Sequence, residues 1–403
     1  MARIVVVGAG IAGLTAALRL SAAGFDVTVL EARDRVGGRL LSVTLDNGAV
    51  VEMGGEWIRA DHDGVARLAR SLDVRLVPVG VDFALRDIAG APSISRAEHD
   101  RVARLVSSAI ASLSAEERQV VSAGDLLDGL DDGSAAFALF RLRIEGSAAI
   151  PLNKVGVDEL TGDYGVGAGT YLRVEGGNQA LAQSAAERLD DVRLNTAVDA
   201  IEVRDGGANV VFGGQSIAAA GVVVAVPLPL LRSLRFDPPL DADLVAAIES
   251  IEMGTAAKLA VSTSSPPPLI ARQNGDTTWW CWTGSGGDGS VRRAVTAFAG
   301  TQTAVAEVGS DWRRMLEAMV PDIDLGDDSR FLDWGAEEWS RGCYSALGPD
   351  QERLLDAFDV RTEVVFAGEH ASGSGSIDGA ILSGERAAAG LVAFLSEESP
   401  RPE

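Results

Sequence analysis

The first thirty-one residues constrain the fold most. Residues 3–7, RIVVV, are short, apolar and β-branched, and predict a buried strand. The turn GAGIAG follows at residues 8–13, and residues 14–23 have the composition of a helix. A second apolar strand at residues 27–30 ends at an acidic residue. This order of strand, glycine turn, helix and strand predicts a βαβ unit of an α/β fold with a Rossmann-type parallel sheet.

The glycine positions suit a dinucleotide. Gly8 permits the tight turn, Gly10 lets the backbone approach a pyrophosphate, and Gly13 lets the helix pack closely on the strand. Glu31 stands 18 positions after Gly13 and can accept hydrogen bonds from a ribose diol. Since all parts stand in register, the motif favours dinucleotide binding over a purely structural glycine turn.

The next residues separate the two common dinucleotides. Residues 31–39, EARDRVGGR, continue the strand into a second glycine pair flanked by arginines. Backbone N–H groups and guanidinium groups there can make a second contact with a pyrophosphate. The run resembles one found in the flavin-containing amine oxidases, which plain NAD dehydrogenases lack. The resemblance implies FAD as the cofactor.

The resemblance continues in blocks along most of the chain. The blocks are MGGEWI at 53–58, VEGGNQAL at 174–181, FAGE at 366–369, and SIDGA and GERAA within 376–388. Between about residues 81 and 170 no family motif is evident. Together, motif and resemblance assign to FAD the residues Gly8, Gly10, Ile11, Ala12, Gly13, Glu31, Ala32, Arg33, Gly38, Arg39, Met53, Gly54, Gly55, Glu56, Trp57, Val198, Trp334, Cys343, Gly368, Glu369, Ser376, Ile377 and Ala380.

The blocks imply a discontinuous FAD-binding domain, with an inserted substrate-binding domain of mixed sheet and helix. We expect the FAD-binding domain at residues 1–78, 172–238 and 334–403, and the substrate-binding domain at 79–171 and 239–333. The first insertion predicts helices, because capping boxes begin at Ser95 and Ser114. The second insertion predicts strands at 258–262, 277–283 and 291–299, and a helix at 312–320.

Lys258 is the most informative single residue. The chain has 35 basic residues, but only Lys154 and Lys258 are lysines. A compact ammonium can hold one water where a planar guanidinium cannot. A lysine snorkelling at a strand edge is the structural alternative. The position matches the family lysine that contacts a water beside flavin N5, so the resemblance implies a catalytic role for Lys258.

Cys343 and Tyr344 resemble a pair in the mitochondrial monoamine oxidases. There the cysteine carries the flavin as an 8α-thioether, while many relatives have a small residue at that position and bind FAD without a covalent bond. Covalent attachment through Cys343 and dissociable FAD both stay open. The resemblance makes Tyr344 a catalytic residue and one wall of an aromatic cage, where an electron-rich ring favours an amine.

The sequence departs from the family pattern at the second cage ring. Ser376 occupies the position of that aromatic. The candidates to complete the wall are Trp57, Trp339 and one of Trp279, Trp280 and Trp282. Core packing is the alternative role for each of them. The residues assigned to substrate are Trp57, Arg59, Trp280, Trp339 and Tyr344.

Arg59 stands where polyamine oxidases of the family tend to carry an acid. A guanidinium there repels a second ammonium and can accept a carboxylate or carbonyl. The expected substrate is a primary or secondary amine or an amino acid, and the missing cage ring together with Arg59 points away from simple monoamines and from polyamines.

The resemblance implies an FAD-dependent oxidase. It would oxidise a C–N bond of a small amine or amino acid by hydride transfer to flavin N5, giving an imine or carbonyl and, with O2, hydrogen peroxide. One alternative is a desaturase or dehydrogenase of the same fold with another electron acceptor. A second alternative is an FAD-binding scaffold.

Charge and composition exclude other classes. The chain has 58 acidic against 35 basic residues, a net charge of −23, which argues against nucleic-acid binding and against docking on anionic membranes. The two cysteines and three histidines show no metal-ligand spacing, so we expect no metal site. Two distant cysteines suit a reducing compartment, and we expect a cytoplasmic protein. The oligomeric state stays open, with a homodimer as the candidate.

Overall fold

A computed structural model gives the fold and describes residues 1–81, 85–161, 171–360 and 362–398. Two of the predicted domain segments extend outside these ranges. The segment 79–171 includes residues 82–84 and 162–170, and the segment 334–403 includes residues 361 and 399–403.

A five-stranded parallel sheet forms the base of the molecule. Across the sheet its strands are Val364–Phe366, Gly221–Val224, Arg3–Val7, Asp26–Leu30 and Asp191–Arg193. Side chains of a strand alternate between the two faces of its sheet. Ile4 and Val6 accordingly pack in the core with the helices Ile11–Ala22 and Ile377–Glu398, while Val5 and Val7 enter the core on the opposite face. This alternation explains why the first strand is apolar throughout.

The opposite face of the parallel sheet is covered by a second sheet and a helix. The four strands of this second sheet are Gln215–Ala219, Gly207–Phe212, Ala200–Arg204 and Arg235–Asp237. The helix Ala242–Ser250 packs in the same core through Leu244, Ala247 and Ile248.

A six-stranded sheet forms the main structure of the two insertions. Its strands are, in order, Leu325–Asp333, Ala256–Thr263, Ala294–Gly300, Trp279–Trp282, Ala271–Gln273 and Asp87–Ile88. Lys258 pairs with Phe298, and Phe298 pairs with Trp280, so these three side chains form one row across three strands. The three predicted strands of the second insertion are confirmed with shifts of a few residues at their ends.

The remaining strands are short. Ile58–Arg59, Tyr171–Val174 and Leu76–Pro78 form a three-stranded sheet, Ser42–Thr44 pairs with Val50–Glu52, and Glu252–Met253 pairs with Ser345–Ala346. The other helices are Asp63–Ser71, Arg96–Ser112, Ala115–Val120, Ala123–Leu130, Ala135–Ala148, Gln179–Ala186, Leu228–Leu231, Gln302–Val308 and Trp312–Met319. Short 3-10 turns occur at Leu152–Lys154, Val157–Leu160, Gly309–Asp311, Glu352–Phe358 and Glu369–Ala371.

The helix predictions for the insertions are confirmed. Ser95 caps Arg96–Ser112 and Ser114 caps Ala115–Val120, each within a complete capping box. Among the helices in the described ranges, none combines the length and the apolar character needed to cross a membrane. The mixed α/β architecture is as expected. All strands of the parallel sheet fall in the three segments predicted for the FAD-binding domain, and all strands of the six-stranded sheet fall in the two insertions, but the domain boundaries stay a prediction.

Candidate active site

A cavity of about 380 Å³ lies between the carboxyl ends of the parallel strands and one face of the six-stranded sheet. It collects residues from the glycine turn and from the blocks at 31–39, 53–58, 366–369 and 376–380. Of the residues predicted to bind cofactor or substrate or to act in catalysis, those that line it are Gly8, Gly10, Ile11, Ala12, Glu31, Ala32, Arg33, Gly38, Arg39, Gly54, Gly55, Glu56, Trp57, Arg59, Val198, Lys258, Trp280, Trp334, Trp339, Cys343, Tyr344, Gly368, Glu369, Ser376, Ile377 and Ala380.

Two predicted cofactor residues, Gly13 and Met53, lie outside the lining. Each instead supports the position of residues that belong to the lining. A Cβ at Gly13 would overlap the carbonyl oxygen of Gly8, so glycine is required for the helix to meet the turn. Met53 is buried, and its carbonyl accepts a 2.8 Å hydrogen bond from Nε1 of Trp334, which fixes a tryptophan of the lining.

The glycine turn fits a pyrophosphate. Gly8 has φ +105°, and a Cβ there would come within 2.8 Å of the carbonyl oxygen of Ala225. Gly10 lines the cavity, and a Cβ there would meet nothing within 4 Å, so it would project into the open space. The helix Ile11–Ala22 begins at this point, and its N-terminal N–H groups favour an anion.

Glu31 is placed for a ribose. It is buried, with Oε2 accepting from the N–H of Ala9 at 2.8 Å and Oε1 accepting from the N–H of Arg33 at 2.9 Å. A carboxylate offers about four acceptor positions, so each oxygen keeps capacity for a ligand hydroxyl.

Arg39 and Glu369 form an ion pair at the cavity. Nη1 of Arg39 donates to Oε1 of Glu369 at 2.6 Å and to the carbonyl of Cys343 at 2.8 Å. Burial alone would raise the pKa of Glu369, but the charges of Arg39 and His370 and a hydrogen bond from Ser345 outweigh it, so the pKa is lowered. The Glu369 carboxylate is therefore ionised and holds Arg39 in place. Arg33 is held in a similar way by Glu337 at 2.6 Å.

Lys258 lies in a buried ion pair. Nζ donates to Oε2 of Glu56 at 2.9 Å and to the carbonyls of Glu52 and Gly54 at 3.0 Å each. An ammonium carries three hydrogens, and three protein acceptors take them. The predicted role, holding a water beside the flavin, requires one of these bonds to give way, so that role stays a prediction.

Glu56 joins Lys258 to a second cation. Its Oε1 lies 3.4 Å from Nη2 of Arg292 and 3.3 Å from Nε1 of Trp282. Burial would raise the pKa of Glu56, but Lys258 and Arg292 outweigh burial and lower it. Glu56 was predicted to bind the cofactor; it lines the cavity, and its carboxylate holds the two cations.

Tryptophans form one wall of the cavity. The rings of Trp280 and Trp282 stack at 4.1 Å, and Trp57 lies 6.2 Å and 5.5 Å from them. Tyr171 meets Trp57 edge-on at 5.7 Å. Trp279, on the same strand, points the other way into the core. Trp282, one of the tryptophans considered for the wall, lines the cavity on the same strand face as Trp280. Tyr171 also lines the cavity and was not predicted.

Arg86 is a cavity residue that the sequence analysis missed. Its guanidinium carbon lies 3.5 Å above the centroid of the Trp280 ring, and Nη1 donates to Oε1 of Gln273 at 2.8 Å. Burial, and then the neighbouring Arg143, lower the pKa of Arg86. Arg86 stands in the stretch without a family motif, so no sequence signal pointed to it. With Arg59, it places two guanidinium groups in the lining.

Sequence comparison decides the family. The profile of the flavin-containing amine oxidoreductases matches residues 11–91 and 86–392. The chain belongs to this family. AofH of Mycobacterium tuberculosis, provisionally named a flavin-containing monoamine oxidase, is 30% identical over 97% of each chain. A putrescine oxidase of Kocuria rosea is 29% identical over 85% of this chain and 84% of its own.

The fold of this amine oxidoreductase also matches solved structures. A putrescine oxidase bound to putrescine superposes with a TM-score of 0.81 over 97% of this chain and 99% of its own, at 24% identity. The family acts on small-molecule substrates, and its cofactor is FAD. The open space at Gly10, the acceptor capacity of Glu31 and the helix N-terminus at Ile11 all fit the adenosine and pyrophosphate parts of FAD.

The residues at the other end of the FAD site come from the C-terminal part of this flavoprotein. Oγ of Ser376 accepts from the N–H of Gly379 at 3.0 Å and so caps the helix Ile377–Glu398. Where relatives are expected to carry an aromatic ring, this chain therefore has a helix cap. Ile377 and Ala380 extend the same edge of the lining.

Cys343 and Tyr344 lie side by side in the lining. Burial raises the pKa of the Cys343 thiol to about 12, so the thiol stays protonated at neutral pH. The hydroxyl of Tyr344 donates to the carbonyl of Ser147 at 2.6 Å, which fixes the ring. Burial also raises the pKa of Tyr344, so its hydroxyl is neutral and its ring can meet a ligand. Trp339 lines the cavity and is half-buried.

Because of His370, the protein is expected to lose folding stability on acidification at pH values above those at which carboxylates titrate. Neither ring nitrogen has a hydrogen-bond partner among the described residues. Burial lowers the pKa of His370 to about 4, although Glu369 opposes this and Arg39 and Arg386 add to it. His370 takes up a proton near pH 6.5 in the unfolded chain but only near pH 4 in the folded chain. The free energy of unfolding therefore decreases as the pH is lowered through this window, by up to about 3 kcal/mol.

The variant His370→Leu removes this group. Its thermal midpoint should fall less than that of the wild type between pH 7 and pH 5, measured by circular dichroism at several pH values. Parallel pH profiles of the two proteins would contradict the assignment.

Proposed function

We propose that the protein is an FAD-dependent oxidase that oxidises the C–N bond of a small amine or amino acid and passes the electrons to O2. The observation that carries this proposal is one cavity that combines the FAD residues with Lys258, Tyr344 and a tryptophan wall. FAD held by these residues would supply the acceptor for the hydride of the α-carbon and, with O2, the route to hydrogen peroxide. The imine product hydrolyses to a carbonyl compound.

The protein residues would orient the amine and exclude water. Tyr344, held by Ser147, presents a fixed neutral ring, and Trp57 and Trp280 present apolar surfaces in the same cavity. An amine between such rings is confined, and its desolvated lone pair favours release of hydride from the α-carbon. Lys258, a charged residue of the same cavity, is neutralised by Glu56 at 2.9 Å. None of these roles needs a protein base.

The two guanidinium groups favour a substrate with an anionic or carbonyl group. Arg59 and Arg86 line the cavity that would take the amine. Arg59 is paired with Asp61 at 2.6 Å, which balances much of its charge, so Arg86 would contribute most to repelling a second ammonium, whereas a carboxylate would form charge-assisted hydrogen bonds. The proposed substrate is thus an amino acid or a related amine, which differs from the diamine that the solved putrescine oxidase binds.

Anaerobic reduction of the flavin tests the substrate class. Phenylalanine should bleach the flavin at least about tenfold more efficiently than phenethylamine, and putrescine should be the poorest of the three. Faster bleaching by putrescine than by phenylalanine would contradict the substrate class while leaving amine oxidation in place. If no amine or amino acid bleaches the flavin, the proposed function itself is wrong.

Replacing Lys258 tests its role in the reaction with O2. In Lys258→Met, reoxidation of the reduced flavin by O2 should slow by about 100-fold, because a positioned cation that stabilises the developing charge is lost. Since the single variant leaves Glu56 unpaired, Glu56→Gln/Lys258→Met serves as the second variant. Reoxidation at the wild-type rate in the folded double variant would refute the role.

We also propose that FAD is dissociable. A thiol with a pKa of about 12 is a poor nucleophile, so Cys343 is unsuited to forming a thioether. After acid precipitation the yellow colour should appear in the supernatant, and Cys343→Ala should retain FAD. Colour that stays in the wild-type pellet and leaves the pellet of Cys343→Ala would establish a covalent bond instead.

One observation favours a second candidate function. Because the three hydrogens of Lys258 already have protein acceptors, a water that promotes the reaction with O2 lacks a donor there. The alternative is a dehydrogenase of the same fold with another electron acceptor. Turnover with an artificial dye but without peroxide in air would favour it. A cytoplasmic location and a homodimer remain predictions of the sequence.

A further inference from the structure

A second cavity, of about 320 Å³, lies apart from the FAD and substrate residues. It is lined by three arginines, Arg173, Arg292 and Arg293, by residues 47–50, by the glycine pairs 176–177 and 286–287, and by Ser290 and Val291. None of these lining residues is an aspartate or glutamate. Three guanidinium groups therefore meet at one cavity of an otherwise acidic protein.

Arg173 carries the argument. It is only 6% exposed, and Nη2 donates to the carbonyl of Ser285 at 2.8 Å, its single hydrogen bond among the described residues. Nε is buried without a partner. Burial, and then the like charge of Arg292, lower the pKa of Arg173 to about 10, although the carboxylates of Glu56 and Glu52 oppose this. A buried guanidinium with so few hydrogen bonds is costly unless a ligand completes its contacts.

Arg292 and Arg293 are held by backbone carbonyls. Nη1 of Arg292 donates to Val50 at 3.0 Å, and Nη2 of Arg293 donates to Asn47 at 2.8 Å. Nε of Arg292 is also buried without a partner. Besides Glu56, which lies 3.4 Å from Arg292, two acids border the cavity: Glu175 accepts from Arg75 at 3.2 Å, and Asp288 accepts from Ser290 at 2.6 Å.

We propose that the second cavity binds a small oxyanion, either phosphate or a carboxylate, between Arg173, Arg292 and Arg293. Planar guanidinium groups match both anions, and the glycine backbones at 176–177 and 286–287 let a ligand approach closely. This binding does not depend on which substrate the enzyme oxidises.

The site would communicate with the active-site cavity. Arg292 lines the second cavity, Glu56 and Lys258 line the first, and these side chains are linked by contacts of 3.4 Å and 2.9 Å. A bound oxyanion would partly neutralise the charge of Arg292. The negative charge of Glu56 would then be balanced mainly by Lys258. Occupancy of the second cavity would therefore strengthen the hold of Glu56 on Lys258.

Thermal denaturation and calorimetry of the holoenzyme test the site. Sodium phosphate and sodium acetate are titrated against sodium chloride at equal ionic strength. We expect one or both oxyanions to raise the thermal midpoint to a plateau, whereas chloride does not. Comparing the phosphate titration with the acetate titration shows which of the two anions the site binds. Arg293→Gln, an exposed position, should weaken the affinity about tenfold, and Arg173→Gln should weaken it at least as much.

Arg188→Gln, which removes an exposed arginine paired with Asp73, is the matched control and should bind as the wild type does. If Arg173→Gln does not fold, Arg293→Gln alone decides. Equal effects of all three salts, or an unchanged affinity in Arg293→Gln, would overturn the proposal.

Discussion

Replacing Glu56 with glutamine is expected to lower the free energy of unfolding by about 3 to 5 kcal/mol, because it leaves buried cations without their counter-charge. The Glu56 side chain is fully buried and contacts Lys258 and Arg292 at 2.9 Å and 3.4 Å. Glutamine keeps the size of the side chain and can still accept from Trp282, so the change isolates the charge. The measurement is the shift of the thermal midpoint of the FAD-loaded protein.

The chain offers a matched control for this change. The only other lysine, Lys154, pairs with Glu252 at 2.7 Å, but both side chains are about half exposed. Glu252→Gln should therefore change stability by less than about 1 kcal/mol. In Glu56→Gln/Lys258→Met both charges are gone, and the loss should be smaller than the sum of the single losses. Equal effects of Glu56→Gln and Glu252→Gln would contradict the burial argument.

The second large effect is expected at the glycine turn. Gly10→Ala should leave the apoprotein as stable as the wild type, because the added Cβ meets nothing within 4 Å. That Cβ would occupy the space expected for the pyrophosphate. A steric conflict of about 3 kcal/mol corresponds to a loss of about 100-fold in affinity, and we expect FAD affinity to fall by this factor. The affinity is measured by titrating apoprotein with FAD and following the flavin fluorescence.

A second variant separates binding from folding. In Gly13→Ala the Cβ would overlap the backbone of Gly8, so both apoprotein stability and FAD affinity should fall. Gly390→Ala, in an open position of the last helix, should leave FAD affinity unchanged and raise stability by up to about 1 kcal/mol. FAD binding by Gly10→Ala at wild-type strength would contradict the placement of the pyrophosphate.

The sequence was most informative where the chemistry lies close together along the chain. Gly8, Gly10 and Glu31 belong to one βαβ unit, so their spacing alone predicts their relation. Lys258 was singled out by its rarity and its apolar strand, yet its partners could not be predicted. Glu56 stands about two hundred positions earlier, and only the packing of two sheets brings the two side chains together.

Two parts of the site were beyond the reach of sequence patterns. Arg86 stands in a stretch without a recognisable motif and reaches the cavity because Asp87–Ile88 joins the edge of the six-stranded sheet. The arginine cavity is built from separate segments that meet only in the folded chain. Trp282, by contrast, was among the candidates for the wall, and its place on the same face as Trp280 follows from the alternation of strand side chains.

A single turnover of the purified FAD-loaded protein tests the central claim most directly. The protein is mixed anaerobically with an amine or amino acid, the flavin absorbance is followed, O2 is then admitted, and hydrogen peroxide and the carbonyl product are measured. We expect the flavin to bleach, and on admission of O2 to regain its colour with one peroxide and one carbonyl product per flavin. A flavin that stays oxidised with every amine and amino acid offered would contradict the account.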